Sequence, residues 1–330
     1  MRVPGLKTLK QSGVWLRSRF SRHSLILGYH RIADVQNDPF QICVSPKNFA
    51  EQMDILRRYT NPVSIETLYE CLQTGHLPDH AVAITFDDGY SDILQEAKQI
   101  LYHHNFPATV YLVTDCLGEQ FWWDKLEQII SSLPTLPEVL DLTIEGKTIH
   151  WKIPRSIIQT SDESQVQIRT ELLFILYRGL LKASKEERKR VLSQIGSWLL
   201  NSPDHNEQAP RALTVAETVE LAASPLFQIG SHTVSHPWLF NLSSSEQYFE
   251  INASKGALEK ILGQPVVTFS YPNGSSSPEI ASLIKQAGYQ CACTSKNDVV
   301  NVTTDVFHLP RFWVPDVNGE AFERWLMRRY

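Results

Sequence analysis

The sequence predicts an α/β fold in which about seven parallel strands close into a barrel that is interrupted by a mainly helical insertion. Three observations predict this fold. Short apolar runs alternate with amphipathic stretches, as they do in repeated strand–helix units. The alternation stops at about residue 115 and resumes at about residue 213. Polar residues of catalytic types follow directly after several apolar runs, where parallel barrels carry their functional side chains.

The first half of the barrel contains three predicted strands and two predicted helices. The strands are Leu25–Gly28, Ala81–Phe86 and Ala108–Val113. Ser45 is the expected N-cap of the first helix, with Pro46 at its first position. The second helix begins at Ser91 or Asp92, shortly after an Asp-Asp-Gly turn that ends the second strand. These elements form the series strand, helix, strand, helix, strand.

The second half of the barrel repeats the pattern from about residue 213. Thr214 with Glu217 and Ser243 with Glu246 are capping boxes, which mark the starts of two helices, and Ser277-Pro278 starts a third. The predicted strands are Leu226–Ile229, Val266–Phe269, Gln290–Thr294 and Phe312–Val314. Short connections between repeated units imply a parallel sheet, and about seven strands are enough for it to close.

The insertion, at about residues 115–213, has a different pattern. Residues 141–153 predict a hairpin that turns at Glu145-Gly146, and residues 165–200 predict helix with a leucine stripe on one face. The insertion is interpreted either as a surface for substrate or as a solvated helical excursion. The predicted domains are therefore a barrel over residues 24–330, interrupted by this insertion, and a separate N-terminal arm.

The arm, residues 1–23, is basic and has no acidic residue. Its cations are Arg2, Lys7, Lys10, Arg17, Arg19 and Arg22. They interrupt every apolar run, which argues against a secretory signal. Two interpretations stay open: peripheral contact with anionic lipid of the inner membrane, or a solvated terminus.

Composition limits the remaining function classes. The net charge of −5 argues against nucleic acid as the partner, because phosphate binding needs a basic surface. No apolar run approaches the roughly 18 residues of a membrane span. Five cysteines, an odd number in a long chain, do not suggest a disulfide framework, so a reduced, cytoplasmic setting is expected.

Two motifs carry the candidate chemistry. Asp87 and Asp88 follow a buried strand, where a turn is one interpretation and a cation site with a neighbouring base is the other. His232 and His236 are four residues apart, so one helical turn would bring both imidazoles to the same side. Two histidines and one carboxylate leave an open coordination position, as in zinc hydrolases. Together the motifs predict one divalent-ion site, with Zn²⁺ as the expected metal.

Thr85–Gly89 and Ser231–Pro237 resemble the first two signature motifs of the polysaccharide deacetylases, carbohydrate esterase family four. The resemblance covers roughly residues 24–114 and 214–315. It implies a distorted (β/α) barrel of about seven strands, with Asp88, His232 and His236 as metal ligands and Asp87 as the general base.

The third family motif is altered in this chain. The family usually has Arg-Pro-Pro-Tyr-Gly, where this chain has Ser-Tyr-Pro-Asn-Gly at residues 270–274. Ser270 thus occupies the position of the arginine that orients the catalytic aspartate. Tyr271, just past a predicted strand end, is a candidate substrate contact, and the resemblance implies Asn273 as another, through a backbone N–H that binds the oxyanion. Arg311 is the candidate replacement for the arginine, and a surface arginine at a strand start is the alternative.

The family's last motif, Leu-x-x-His, is also altered, which leaves two histidines as candidates for the general acid. His308 lies near the expected place. His30 belongs to Tyr-His-Arg, which resembles the opening of the biofilm and exopolysaccharide deacetylase branch, although a structural hydrogen bond is an equal interpretation. Trp123 begins the insertion among other aromatics, and either stacks on a sugar or packs in a core.

The resulting hypothesis is a metal-dependent hydrolase that removes N-acetyl groups from an amino-sugar glycan and releases acetate. Two alternatives remain. A catalytically weak or inactive glycan-binding or assembly protein would account for the altered motifs. A metal hydrolase of another acyl or amide bond would use the same ligands.

Overall fold

The computed structural model describes residues 23–133, 135–152, 162–197 and 209–329. The predicted basic arm lies outside these residues except for its last one, so its contact with lipid stays a prediction. The chain divides into two compact units. Unit 1 is Met1–Leu117 with Leu213–Tyr330, and unit 2 is Gly118–Ala212.

The described residues form twelve strands and ten α-helices. The strands are β1 Leu25–Tyr29, β2 Arg31–Ile32, β3 Cys43–Val44, β4 Asn61–Pro62, β5 Ala81–Phe86, β6 Ala108–Leu112, β7 Val139–Ile144, β8 Lys147–Lys152, β9 Phe227–Ser231, β10 Thr268–Ser270, β11 Cys291–Cys293 and β12 Phe312–Trp313. The helices are α1 Pro46–Tyr59, α2 Ile65–Thr74, α3 Lys98–His104, α4 Trp122–Ser132, α5 Asp162–Leu180, α6 Lys185–Gly196, α7 Val215–Ala222, α8 Ser244–Leu262, α9 Pro278–Gln286 and α10 Gly319–Leu326.

Unit 1 is built on one parallel sheet. Its strands follow the order β11-β10-β9-β6-β5-β1-β12, and β4 pairs with the start of β5. An isolated parallel bridge between Cys293 and Leu309 joins the segment before β12 to β11, at the other end of this order. The sheet therefore curls back on itself. The predicted distorted (β/α) barrel of about seven strands is confirmed.

The two faces of the sheet have different cores, because successive side chains of a strand point to opposite faces. On β1, Leu25 and Leu27 pack with α1 on the outer face. Ile26, between them, packs in the interior with residues of β5, β6 and β11 and with α2. Apolar side chains thus fill one end of the interior, and polar side chains occur where the strands end.

Unit 2 contains the antiparallel hairpin β7–β8 and the helices α4, α5 and α6. The hairpin turns at Glu145 and Gly146, both with positive φ, as the sequence predicted. In the described part of the chain, helices of membrane-spanning length and apolarity are absent.

Candidate metal centre

The candidate site lies at the carboxyl edge of the sheet, where residues at the ends of β5, β9 and β10 meet a residue that lies just before β12. Asp87 and Asp88 follow β5, and His232 follows β9. Because parallel strands point the same way, their carboxyl ends meet at one edge. Ser270 ends β10, and Arg311 directly precedes β12. Residues that are far apart in the sequence are thereby brought together.

A tight turn separates the side chains of the two aspartates. The Gly89 N–H donates a hydrogen bond of 2.8 Å to the Asp87 carbonyl, which closes a three-residue turn about Asp88. Asp88 has φ 68°, a value of the strained γ-turn. Gly89 has φ 85°, and a Cβ there would lie 2.2 Å from Leu112 Cδ2, so glycine is required. The turn points the two adjacent carboxylates in different directions.

The segment between the two histidines is also strained. Thr233 has φ 68° and His236 has φ 53°, both in the left-handed region that non-glycine residues avoid. Each such residue costs about 1–3 kcal/mol and persists only when its surroundings hold it. The Thr233 hydroxyl accepts a hydrogen bond of 3.1 Å from the His236 N–H. This geometry brings both imidazoles back toward the end of β5.

Three side chains converge closely enough to hold one cation. Asp88 Oδ1 lies 3.7 Å from His232 Nε2 and 3.6 Å from His236 Nε2, and the ligand atoms of all three lie within 4.8 Å of one another. These distances exceed hydrogen-bonding range. They approach the separation of about 3.4 Å that tetrahedral Zn²⁺ with bonds near 2.1 Å imposes on its ligands. The donor types and their spacing fit a divalent ion.

Hydrogen bonding orients His232 for this role. Its Nδ1 lies 2.8 Å from the Ser270 carbonyl oxygen, which can only accept, so Nδ1 carries the proton. The Nε2 lone pair is then directed toward Asp88. Burial lowers the pKa of His232, which favours the neutral imidazole that binds metal ions. A backbone carbonyl that fixes the tautomer is a common outer partner of metal-bound histidine.

Asp87 forms a two-pronged ion pair with Arg311. Arg311 Nη1 and Nη2 donate to the two carboxylate oxygens at 2.7 Å each. The arginine is fully buried and also donates to Thr294 O and Thr85 Oγ1. The pairing anticipated for Arg311 is therefore present, and the alternative of a surface arginine is wrong.

Ser270 completes this pair, a contact that the sequence did not indicate. Its hydroxyl donates to Asp87 Oδ2 at 3.1 Å and accepts from Arg311 Nη2 at 2.8 Å. The short Ser270 side chain leaves room for the guanidinium of Arg311, which lies just before β12. The arginine of the usual family motif would instead lie at the end of β10. Burial, the largest single influence, would raise the pKa of the Asp87 carboxyl, but the charge and hydrogen bonds of Arg311 together with His232 and His30 hold that pKa below its usual range.

His30 is held beside this ion pair by Trp313. The two rings stack with centroids 4.4 Å apart, and the Arg311 guanidinium lies 4.8 Å from the Trp313 ring centroid. Burial lowers the pKa of His30 to about 4, although the Asp87 charge opposes this shift. Trp313 was not identified from the sequence. The sequence feature related to Trp313 is Gly28, its neighbour on β1. A Cβ at position 28 would lie 2.7 Å from the indole ring, so only glycine leaves room for Trp313.

The remaining predicted residues have different environments. Tyr271 is fully buried and its hydroxyl donates to Phe307 O, so its side chain has no surface for a substrate in this structure. Asn273 is exposed in a 3-10 turn with φ 53°. His308 binds Asp305 at 2.8 Å, and its ring lies 6.2 Å from that of Tyr271. Trp123 is buried in unit 2, stacked on Phe121.

Fold and site together define a class of proteins: (β/α) barrels with one carboxylate and two histidines at the carboxyl edge of the sheet. A family model described as polysaccharide deacetylase matches residues 74–134 and 194–292. These two segments contain Asp88, His232 and His236. Over these two segments the chain has the sequence pattern of the polysaccharide deacetylase family.

Known proteins resemble the chain in sequence or in fold. The protein YxkH of Bacillus subtilis (strain 168), whose assigned name is that of a polysaccharide deacetylase, is 29% identical over 111 residues. The match covers 33% of this chain and 39% of YxkH, so the chain spans about two fifths of that relative.

Two solved structures share the fold. The deacetylase PplD of Streptococcus pyogenes, solved with acetate, has a TM-score of 0.59 and 18% identity, over 93% of this chain and 97% of PplD. IcaB from Ammonifex degensii has a TM-score of 0.58 and 16% identity, over 92% and 97% of the two chains.

Proposed function

We propose that the chain is a metal-dependent hydrolase that removes N-acetyl groups from an amino-sugar glycan, in the branch of its family that acts on exopolysaccharide. The convergence of Asp88, His232 and His236 beside the Asp87–Arg311 pair is the observation that carries the proposal. The match to the polysaccharide deacetylase family model supports an acetylated glycan as the substrate.

The three clustered side chains would hold a divalent ion, with Zn²⁺ as the candidate. Such an ion would supply Lewis acidity toward an acyl oxygen and would lower the pKa of a water molecule toward about 7. Asp87 is the general base in this proposal, because its carboxylate is ionised and lies 3.7 Å from His232 Nε2. Arg311 and Ser270 fix the direction in which that carboxylate points.

The proton for the leaving amine would come from His30 or His308. His30 stacks on Trp313, which also contacts Arg311, but its pKa of about 4 leaves it mostly neutral near pH 7; His308 is partly exposed beside Tyr271. Replacing each histidine by glutamine and comparing kcat separates the two candidates. The donor is the histidine whose loss lowers kcat at unchanged metal content.

A binding protein that lacks turnover is the competing function. The buried ion pair between Asp87 and Arg311 favours the hydrolase, because a pure binder has no need of an oriented base. The test measures bound metal and acetate release for the purified protein with N-acetylated oligosaccharides of several lengths. Acetate release that disappears with a chelator and returns with Zn²⁺ is expected. Glycan binding without acetate release would favour the binder, and release from non-glycan amides alone would favour another acyl substrate.

A further inference from the structure

A buried glutamate on α8 contacts the segment between the two histidines. Glu250 lies in the second turn of α8 and is 8% exposed. The backbone N–H groups of Val234 and Ser235 donate to its Oε2 at 2.8 and 3.0 Å. The Ser235 hydroxyl donates to its Oε1 at 2.7 Å. One carboxylate therefore accepts three hydrogen bonds from two consecutive residues.

These two residues lie between the strained positions. Thr233 precedes them with φ 68°, and His236 follows them with φ 53°. A segment with a left-handed residue at each end relaxes to a more common conformation unless its surroundings hold it. Three hydrogen bonds to one buried side chain fix the directions of two consecutive backbone N–H groups and of the Ser235 hydroxyl. Glu250 thus restrains the backbone where its conformation is least favourable.

A second restraint connects the same helix to the segment beyond His236. The Gln247 side-chain amide, one turn before Glu250, donates to Leu239 O at 2.8 Å and to Leu242 O at 3.3 Å. Glu250 and Gln247 of α8 therefore contact the backbone on both sides of His236.

We propose that Glu250 is a positioning residue for the metal centre, which holds His236 where its Nε2 meets Asp88 and His232. The inference rests on the proposed function only in taking these three residues as the ligands. Glu250 acts through the backbone of Val234 and Ser235, and its effect on metal affinity follows from the geometry of its hydrogen bonds.

Three substitutions separate this geometric role from a long-range attraction between the Glu250 charge and the cation. Glu250→Asp keeps the charge and withdraws the carboxylate by one methylene, so it cannot reach all three donors. Glu250→Gln keeps the reach and removes the charge, because the amide oxygen can accept from both N–H groups while the Ser235 hydroxyl accepts from the amide nitrogen. Glu250→Ala removes both.

Metal affinity of the metal-free full chain is the measurement, by competition of Zn²⁺ with a chromophoric chelator and by the absorption spectrum of the Co²⁺ form. We expect Glu250→Asp and Glu250→Ala to raise the Kd for Zn²⁺ about 10- to 100-fold, the range seen for outer partners of metal ligands. Both should change the Co²⁺ bands, whereas Glu250→Gln should keep most of the affinity and the spectrum of the parent.

Glu246→Ala is the matched control, because it removes a capping glutamate of the same helix that does not contact Val234 or Ser235. It should lower the melting temperature and leave the Kd unchanged.

Parent-like Kd values for the Asp and Ala variants would overturn the proposal. So would a weak Gln variant with a normal Asp variant, because charge would then be the cause. If Glu250→Ala does not fold, the Kd of Glu250→Asp alone decides between these outcomes. Absence of acetate release, with these Kd differences present, would refute the hydrolase and leave the positioning role intact.

Discussion

At the scale of single residues, the three-residue turn about Asp88 gives the two adjacent aspartates different surroundings. Asp87 meets Arg311 and Ser270, and Asp88 meets the two histidines. We therefore expect Asp87→Asn to retain the metal and to lower kcat about 10²- to 10⁴-fold, because an amide cannot accept a proton. Elemental analysis and acetate release are the measurements, with Asp88→Asn as the control that should lose metal. Metal loss in the Asp87 variant would show that the roles are reversed.

Arg311 belongs to the same scale but affects stability as well. Removing one partner of a buried ion pair leaves the other charge uncompensated, which costs about 3–5 kcal/mol. Urea unfolding of Arg311→Ala should show a loss of that order, and Arg311→Lys should also lose stability because lysine lacks the two-pronged donor geometry. Arg324→Ala removes an exposed ion pair with Glu320 and should leave the free energy of unfolding nearly unchanged. Equal stability of all these variants would contradict a buried pair.

The sequence indicated some of these residues and could not indicate others. Asp87, Asp88 and the two histidines could be predicted as site residues because their types and spacing are those of metal sites. Arg311 was a candidate partner of Asp87 only through the family resemblance, because the two residues are 224 positions apart and their contact depends on which strands become neighbours. The contacts of Ser270 with Asp87 and of Glu250 with Val234 could not be predicted, because they depend on how distant segments of the chain pack together.

At the scale of elements, the closeness of β1 and β12 depends on Gly28. A Cβ at this position would meet the Trp313 ring at 2.7 Å, whereas a Cβ at Gly256 on α8 would meet nothing within 4 Å. Gly28→Ala should lower the free energy of unfolding by about 1–3 kcal/mol through overpacking. Gly256→Ala should raise it by roughly 0.5–1 kcal/mol, because alanine favours helix. Both values follow from urea titration, and a neutral Gly28→Ala would mean that Trp313 moves aside freely.

Elements with strong local signals were predicted well. The capping boxes at Thr214 and Ser243 are both present, and each starts its helix as expected. Other elements lack such signals: β4 has two residues, and the helix expected after Asp92 begins as a π-helix over Ile93–Ala97. Two-residue strands are specified by pairing with a neighbour, so a pattern of alternation cannot reveal them.

At the scale of the whole molecule, metal binding should couple to stability. A ligand that binds only the folded state stabilises it by about 4 kcal/mol at a concentration 1,000 times its Kd. Adding Zn²⁺ to the metal-free protein should therefore raise its melting temperature, and a chelator should reverse the change. Asp87→Asn should respond as the parent does. A melting temperature of His236→Ala that still responds to Zn²⁺ would place the ion elsewhere.

The pairing of Arg311 with Asp87 also has a consequence for biosynthesis. A ribosome adds residues in order, so a nascent chain that has emerged through Ser270 already holds Asp88, both histidines and Glu250, while Arg311 has not yet emerged. Until β12 joins β1 and the Cys293–Leu309 bridge forms, Asp87 has no arginine to fix its direction. A product terminated at that point would hold the three clustered residues without the partner of Asp87, so we expect it to be inactive.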